Sequence, residues 1–342
     1  MKTLTSEHIA KIMIRTTNWL GDAVMTTPAM AQIRASFPEA EIVVIANPLV
    51  AQLFTCHPDC DRVLIFDKRS KDRGITGFLR FSQQLRREQF DLALLFQNAI
   101  EGALMAFLAG IPRRGGYPTD GRMLLINYRS PMTTATKELH HTDYYLQMLA
   151  GLGLEGSRPP LRLASTEMEL QQAHEILGGG RWIAINPGAS YGSAKRWFPE
   201  RFAAVADQLA EKHQARIVLI GGPGEQQIGH DIAIKMEQPV LNLIGKTSVR
   251  DMIAAISCCS LIITNDSGPM HVAAAVGTPI VAIFGPTDHT TTSPLTTDFT
   301  LIRKPTPCAP CLLRQCPKDH QCMTAITADE VFAAADAMLG AR

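Results

Sequence analysis

The segment LIITNDSGPMHVAAAVGTPIVAIFGPTD, residues 261–288, decides the fold of this chain. It contains two short apolar runs, typical of buried parallel strands, with a helical pattern between them. The first run ends at Thr264, a polar turn follows over residues 265–268, and Pro269 lies where the first turn of the helix begins. A strand, a helix and a second strand in this order form the repeating unit of a doubly wound α/β sheet.

The turn over residues 265–268 has the properties of a phosphate-binding site. The first N–H groups of a helix have no partners inside the helix, and the helix dipole adds partial positive charge. Gly268 allows a bulky anion to approach the backbone. The alternative is an ordinary strand–turn–helix connection in which Asp266 caps the helix. This segment by itself supports both interpretations.

Strand-like and helix-like segments alternate through the rest of the chain. The polar segment 155–160 is the best linker, and the alternation restarts after it. Capping boxes mark three helix starts in the second half, at residues 166–169, 248–251 and 327–330. Helices are also predicted over residues 22–36, 102–109 and 144–152, and strands over residues 11–15, 41–46, 63–66, 92–96, 182–185, 216–220, 261–264 and 279–284.

The alternation predicts an α/β protein with two doubly wound parallel sheets, the first in residues 1–160 and the second in residues 161–325. Ligands of such sheets bind beyond the carboxyl ends of the strands. Two such domains facing each other would enclose a cleft.

Length and charge exclude several classes of protein. At 342 residues the chain is long enough for two domains, and 46% hydrophobic residues suffice for two cores. The 33 basic and 32 acidic residues are balanced, which argues against a nucleic-acid-binding protein. No apolar run approaches the ~18–20 residues that span a bilayer. The N-terminus lacks the apolar core of a signal peptide, so we expect a cytoplasmic protein.

Two further glycine-containing loops follow strands in the second half. In residues 186–202, NPGASYGSAKRWFPERF, Lys195 supplies positive charge suited to a diphosphate, unless it belongs to a solvated basic pair. In residues 221–225, GGPGE, Glu225 is placed to accept hydrogen bonds from ribose hydroxyls, unless the segment is only a tight turn.

A fourth motif, residues 18–30 (NWLGDAVMTTPAM), follows the first strand. Asp22 lies at the start of a helix, where a carboxylate can act as a general base towards a hydroxyl group. The alternative is stabilisation of the helix dipole by an acidic residue in the first turn. No G-x-G-x-x-G follows the first strand, which argues against a dinucleotide dehydrogenase.

Three other patterns carry weaker signals. The sequence Asp59-Cys60-Asp61 has the D-x-D spacing of some metal–nucleotide sites, but we interpret it as a turn. The pair 140–141, two histidines, is interpreted as a surface pair at a helix entry rather than a ligand pair. The last pattern is a cluster of four cysteines that could hold a structural zinc ion or an iron–sulfur cluster, or remain free thiols: Cys308, Cys311, Cys316 and Cys322.

Together the motifs resemble those of the ADP-heptose:lipopolysaccharide heptosyltransferases, glycosyltransferase family 9. The similarity runs nearly end to end, and the Ala-Lys-Arg-Trp sequence at 194–197 is most similar to that of heptosyltransferase II. The resemblance implies a GT-B fold with the acceptor in the first domain, the nucleotide sugar in the second, and a last helix, 326–342, that packs back on the first. It rests on residues 19–22, 186–189, 194–197, 221–225, 264–271 and 285–288.

The reaction that the resemblance implies is inverting transfer of L-glycero-D-manno-heptose from ADP-heptose to a heptose of the lipopolysaccharide inner core, without a metal or other cofactor. Asp22 then matches the general base and Lys195 the group that neutralises the leaving diphosphate. Asp266 matches the residue that holds the sugar hydroxyls, and Glu225 the ribose contact. The other implied donor-binding residues are Gly188, Ser190, Gly222, Ser267, Gly268 and His271.

The acceptor side of the resemblance points to Asn98 and Arg122. Residues 68–87 contain seven basic residues and one acidic residue, and residues 113–137 contain five and one. Such segments suit a phosphorylated Kdo–lipid A acceptor and the anionic inner leaflet, unless they are solvated helix faces. We therefore expect a protein that is cytoplasmic or peripheral on the inner face of the inner membrane, with no nucleic-acid partner.

Two other functions remain open at this point. One is a family-9 transferase with a different nucleotide sugar, or a GT-B nucleotide-sugar epimerase. The other is a nucleotide-sugar-binding protein without catalytic activity, which would not need a general base at Asp22.

Overall fold

The computed structural model describes residues 3–4 and 9–341. The chain divides into two compact units, Met1–Ala164 and Ser165–Arg342. Residues 1–2, 5–8 and 342 are outside the described part, and with them part of the N-terminal stretch for which no signal peptide is predicted.

A parallel sheet with strand order β3-β2-β1-β4-β5-β6 forms the core of the first unit. Strands β1, β2 and β4 are almost entirely buried because helices cover both faces of a parallel sheet. Within the described residues the strands are β1 Lys11–Arg15, β2 Glu41–Ala46, β3 Arg62–Ile65, β4 Leu92–Leu95, β5 Arg113–Gly116 and β6 Tyr128–Arg129. The helices are α1 Leu20–Met25, α2 Thr27–Ser36, α3 Pro48–Phe54, α4 Gly74–Arg87, α5 Ile100–Leu108, α6 Thr134–Glu138 and α7 His141–Ala150.

The second unit repeats the architecture with strand order β12-β11-β10-β7-β8-β9, again all parallel. Its described strands are β7 Trp182–Asn186, β8 Arg216–Leu219, β9 Val240–Asn242, β10 Leu261–Asn265, β11 Ile280–Phe284 and β12 Phe299–Arg303. Its helices are α8 Glu167–Leu177, α9 Pro199–His213, α10 Gln226–Ala233, α11 Val249–Ser257, α12 Gly268–Val276, α13 His289–Thr292, α14 Gln321–Thr324 and α15 Ala328–Gly340. Short 3₁₀ turns cover Ser193–Lys195 and Pro223–Glu225.

These sheets confirm the predicted α/β class, and the eight predicted strands all occur within a residue or two of their expected ends. All three capping boxes form, at Thr166, Ser248 and Thr327. The four strands that were not predicted are short or lie towards the sheet edges, where the residues are only partly apolar; β5, for example, has the sequence RRGG.

The single helix predicted over residues 22–36 is wrong, because the chain forms α1 and α2 with a break at Thr26. Pro28 has no N–H group to donate to the carbonyl four residues earlier. Side-chain hydroxyl groups donate hydrogen bonds to the carbonyls at the break. Thr26 Oγ1 donates to Ala23 O at 2.7 Å, and Thr27 Oγ1 donates to Val24 O at 2.8 Å.

The last helix, α15, packs on α9 and on strands of the second sheet. Its apolar stripe places Val331, Ala335 and Leu339 in the hydrophobic core of the second unit. The apolar stripe of the helix therefore belongs to its own unit, and the packing of residues 326–342 on the first domain stays a prediction.

Over the residues that are described, no helix combines the length and the apolar character needed to cross a membrane.

Candidate active site

The strands β7, β10 and β11 are neighbours in the second sheet, so the loops that follow them meet at one edge. Thr264 pairs with Asn186, and Asn265 pairs with Ile283. This register brings together three motifs that are far apart in the sequence: the loop after Asn186, the turn over 265–268 and the loop after Phe284.

Two buried asparagines hold this edge together. Asn186 Oδ1 accepts hydrogen bonds from Ser267 Oγ at 2.7 Å and from Thr264 Oγ1 at 3.2 Å. Asn265 Oδ1 accepts from the Trp197 backbone N–H at 3.1 Å, and its Nδ2 donates to Pro187 O at 2.8 Å. Because these amides satisfy backbone and hydroxyl groups from both loops, the turn is held in one conformation.

Asp266 does not cap α12, so that alternative interpretation is wrong. Its Oδ2 instead accepts from Lys195 Nζ and from Thr287 Oγ1, each at 2.6 Å. The side chains of Lys195 and Asp266 are only 13% and 5% exposed. The structure thus places the predicted diphosphate-neutralising lysine directly against the predicted sugar-binding carboxylate.

The start of α12 is left without a side-chain cap. Ser267 is the N-cap residue in extended conformation, but its hydroxyl is directed to Asn186 instead of the helix. Gly268 begins the helix, and His271 follows in the first turns as a buried side chain. The structure therefore retains at this helix start the features that favour an anion.

Tyr191 belongs to the loop before the 3₁₀ turn Ser193–Lys195, and two cationic side chains lie over its ring. Lys195 Nζ is 5.0 Å from the centre of the tyrosine ring, and Arg314 Cζ is 5.4 Å from it. The Tyr191 hydroxyl donates to Leu312 O at 2.7 Å. The ring thereby positions Lys195, while the neighbouring Ser190 is exposed.

Glu225 packs tightly against the loop after β7. A Cβ atom added to Gly188 would lie 2.0 Å from Glu225 Oε1, so this approach requires glycine. Glu225 Oε2 accepts from the Gly222 N–H at 2.8 Å, as in a tight turn with an acidic cap. Burial raises the pKa of the Glu225 carboxyl. The structure thus brings Gly188, Gly222 and Glu225 together, as the predicted donor-binding set requires.

In the first unit, Asp22 lies in the first turn of α1, and its side chain is 31% exposed. It lies beside His141, whose Nδ1 is 3.4 Å from Asp22 Oδ1. Sequence reasoning interpreted the 140–141 pair as a surface pair. The structure does place both at the entry of α7, where His140 caps the helix through its Nδ1, and it also brings the 40% exposed His141 close to the predicted base.

The predicted acceptor residues Asn98 and Arg122 contact each other. Arg122 Nη2 donates to Asn98 Oδ1, and Asn98 Nδ2 donates to Tyr144 Oη, both at 2.7 Å. Arg122 is completely buried, its Nε donates to Tyr117 O at 2.8 Å, and burial lowers its pKa to about 10. Arg122 thus remains charged at neutral pH and orients Asn98 from the interior.

The cysteine cluster does not fit a metal site in this arrangement. Among the residues that the structure describes, no three His, Cys, Asp or Glu side chains lie together as metal ligands, and all the cysteines are free thiols. Cys322 is buried in the core, where burial, and then the nearby thiols of the other three, raise its pKa.

The D-x-D sequence likewise forms a turn. Asp61 Oδ2 accepts from the Ile42 backbone N–H at 2.7 Å and pairs with Arg34 at 2.5 Å, while Asp59 is buried beside His57. Both carboxylates therefore make contacts with the local backbone and with neighbouring side chains.

The chain is similar to known proteins over most of its length. The family model described as glycosyltransferase family 9 (heptosyltransferase) matches residues 78–321. The lipooligosaccharide heptosyltransferase 2 of Campylobacter jejuni is 31% identical, over 96% of this chain and 98% of its own length. The lipopolysaccharide heptosyltransferase 2 of Escherichia coli K12 is 29% identical, over 86% of this chain and 88% of its own.

A solved structure of the same kind has a similar fold over nearly all of the chain. The structure of E. coli ADP-heptose lps heptosyltransferase II has a TM-score of 0.83 and 26% identity, and it covers 97% of this chain and 99% of its own. The chain therefore has the fold of a solved heptosyltransferase.

Proposed function

Since the chain belongs to glycosyltransferase family 9, we propose that it transfers a heptose from ADP-heptose to a heptose of the lipopolysaccharide inner core. The family and the match to the solved heptosyltransferase confirm the predicted GT-B fold and the assignment as a glycosyltransferase. The observation that carries the proposal is the buried set of Lys195, Asp266 and Thr287 beside the uncapped start of α12.

Each part of that set has a chemical task in the proposed donor site. The first turn of α12 and Lys195 bind the diphosphate, whose charge grows as the bond to the sugar breaks. Asp266, held by Thr287, accepts hydrogen bonds from sugar hydroxyls. Glu225 accepts from the ribose, held in place by the close approach that Gly188 permits and by the bond from the Gly222 N–H.

The proposed reaction is a single displacement that inverts the anomeric centre. The acceptor hydroxyl attacks the anomeric carbon while Asp22 takes its proton. The bond between that carbon and the diphosphate oxygen breaks, and ADP leaves with the electron pair. The positive charge of Lys195 and the helix N-terminus stabilises the leaving group, so we propose that the step proceeds without a metal ion.

The acceptor that we propose is a heptosyl-Kdo2-lipid A, bound through the first unit. Asn98, held by the buried Arg122, offers an amide to sugar hydroxyls. The basic segments 68–87 and 113–137 suit the phosphate groups of this lipid and a location on the inner face of the inner membrane. We thus retain residues 1–160 as the acceptor-binding domain and residues 161–325 as the donor-binding domain.

Incubation with ADP-heptose and a set of inner-core acceptors tests the function. We expect heptosyl-Kdo2-lipid A to gain the mass of one heptose and ADP to be released in equal amount, measured by mass spectrometry. Product formation from a different nucleotide sugar alone would replace the donor assignment. Turnover of ADP-heptose without any acceptor would point to an epimerase, and no turnover with tight nucleotide-sugar binding would point to a binding protein.

A further inference from the structure

The first unit exposes a group of large apolar side chains that lie outside the hydrophobic cores of the described residues. Leu124 is 85% exposed and Ile75 79%. On α5 the exposed apolar residues recur at intervals of four and three, which places them along one side of the helix. We use the term apolar face for the exposed side chains of Ile75, Leu79, Ile100, Leu104, Phe107, Met123 and Leu124.

Two contacts bring the elements that carry these side chains together. Helices α4 and α5 pack against each other through one hydrophobic core that includes Phe81 and Ala103, so their outer sides adjoin. A Cβ atom at Gly121 would lie 3.9 Å from the Cδ1 atom of Ile100, which brings the loop over 121–125 to the start of α5. An apolar surface of this kind, contributed by two helices and a loop, marks a site of interaction.

Basic residues border the apolar face. The loop before α4 and the helix itself expose Lys68, Arg69, Lys71, Arg73, Arg80, Arg86 and Arg87. Within the described chain only two of these form ion pairs, Lys68 with Glu101 and Arg80 with Asp72. Arg114 adds a further cation, 5.4 Å from the Phe107 ring centre. The rim therefore carries a net positive charge that favours an anionic partner.

We propose that the apolar face inserts into the interfacial region of an anionic bilayer while the basic rim contacts lipid phosphates. Exposed Leu, Ile and Phe side chains beside Lys and Arg are the combination by which helices bind membrane surfaces in the plane of the interface. The inference rests on the proposed function in one respect. Met123 and Leu124 directly follow Arg122, which holds Asn98, so insertion would bring a lipid-borne acceptor sugar to the proposed acceptor residues.

Vesicle co-sedimentation of the full chain tests this surface. We expect binding to vesicles of phosphatidylethanolamine and phosphatidylglycerol, and much weaker binding to phosphatidylcholine vesicles or at high salt. The triple variant Ile75→Ser, Phe107→Ser, Leu124→Ser should bind at least ~10-fold more weakly, because each substitution removes apolar area from the interface. A matched control, Met168→Ser with Ile176→Ser and Ile234→Ser, removes exposed apolar side chains of the second unit and should bind as the wild type does.

Activity separates the bilayer contact from the reaction. On an acceptor whose acyl chains have been removed, the triple variant should transfer heptose at the same rate as the wild type. On the acylated acceptor in vesicles, its rate should be lower than that of the wild type. If the wild type bound vesicles but did not act on the soluble acceptor, the proposed function would be contradicted and the membrane proposal would stand. Absence of vesicle binding by the wild type would overturn the membrane proposal. So would a dimer, seen by sedimentation velocity in the wild type and lost in the triple variant, because a second copy of the chain would then occupy the apolar face.

A second, independent observation concerns His141. Its Nδ1 is buried and makes no hydrogen bond to the described part of the chain, yet it lies 3.4 Å from Asp22 Oδ1. We infer that His141 Nδ1 carries a proton during the reaction and donates its N–H to one carboxylate oxygen of Asp22. This hydrogen bond fixes the carboxylate and leaves its second oxygen for the acceptor hydroxyl. His141 is then a positioning residue for the proposed base.

Paired substitutions test this role. In His141→Ala we expect kcat to fall ~10-fold, the effect of losing one hydrogen bond to a charged group, with KM for ADP-heptose unchanged. His141→Asn should recover most of the loss, because the asparagine Nδ2, like the histidine Nδ1, is bonded to Cγ. The control His230→Ala removes an exposed histidine and should have no effect. Equal activity of His141→Ala and the wild type, or equal losses in the two His141 variants, would overturn the inference.

Discussion

Replacement of Asp22 by asparagine is expected to lower kcat for heptose transfer by about 100- to 10,000-fold, because an amide cannot take the proton of the acceptor hydroxyl. The change preserves the size of the side chain at the start of α1, so the fold should persist. ADP affinity should be unchanged, since the residues that we assign to ADP lie in the second unit. Steady-state kinetics with saturating donor, together with calorimetric titration of ADP, measure both quantities.

Asp143→Asn is the matched control for this prediction. Asp143 is also an acidic residue in the first turn of a helix of the first unit, and it pairs at 2.7 Å with the half-exposed Arg158. We expect nearly wild-type transfer in this variant, because exposed ion pairs contribute little stability. If Asp22→Asn transferred heptose as fast as the wild type, the assignment of Asp22 as general base would be wrong.

Replacement of Lys195 by methionine is expected to lower kcat by about 100- to 1,000-fold, the range seen when a preorganised group that stabilises developing charge is removed. Methionine retains much of the apolar stem but not the charge that opposes the growing charge of the diphosphate. Asp266 would keep only its bond from Thr287 in the described chain, so the sugar-binding carboxylate should also be less well held. Single-turnover kinetics and thermal unfolding distinguish loss of catalysis from loss of fold.

Lys212→Met provides the comparison for Lys195. Lys212 also pairs with an aspartate, Asp336 at 2.9 Å, but its side chain is 54% exposed on the surface of the second unit. We expect the control to leave kcat unchanged. A Lys195→Met enzyme with wild-type kcat would refute the role of this lysine in stabilising the leaving group, and a folded Lys195→Arg enzyme with intermediate activity would support a role that depends on charge and position together.

Most of the framework could be predicted because its signals are local. A buried parallel strand is a short apolar run, and a capping box needs only two residues three positions apart, as at Thr166 and Glu169. The break at Thr26 was missed although its cause is also local: Pro28 alone interrupts an otherwise continuous helical pattern. Strands near the sheet edges, such as Arg113–Gly116, were missed because their partly polar sequences do not produce an apolar run.

The site residues were predicted only as far as motifs reveal them. Asp22, Lys195, Glu225 and Asp266 stand in recognisable motifs, and their proposed roles come from the family that those motifs resemble. The sequence assigned no task to Thr287, although it lies in a quoted motif, because its bond to Asp266 depends on the neighbouring positions of β10 and β11.

The sequence by itself thus determined the fold class, the helix starts that carry capping boxes and the loops that carry the chemistry, since each depends on the order of nearby residues. The tertiary structure alone decided which side chains meet. It showed that Asp266 holds Lys195 instead of capping α12, that Arg122 orients Asn98 from the interior, and that the last helix belongs to the second core. Such contacts join residues far apart in the chain, and their geometry follows from strand order and helix packing, which no local pattern contains.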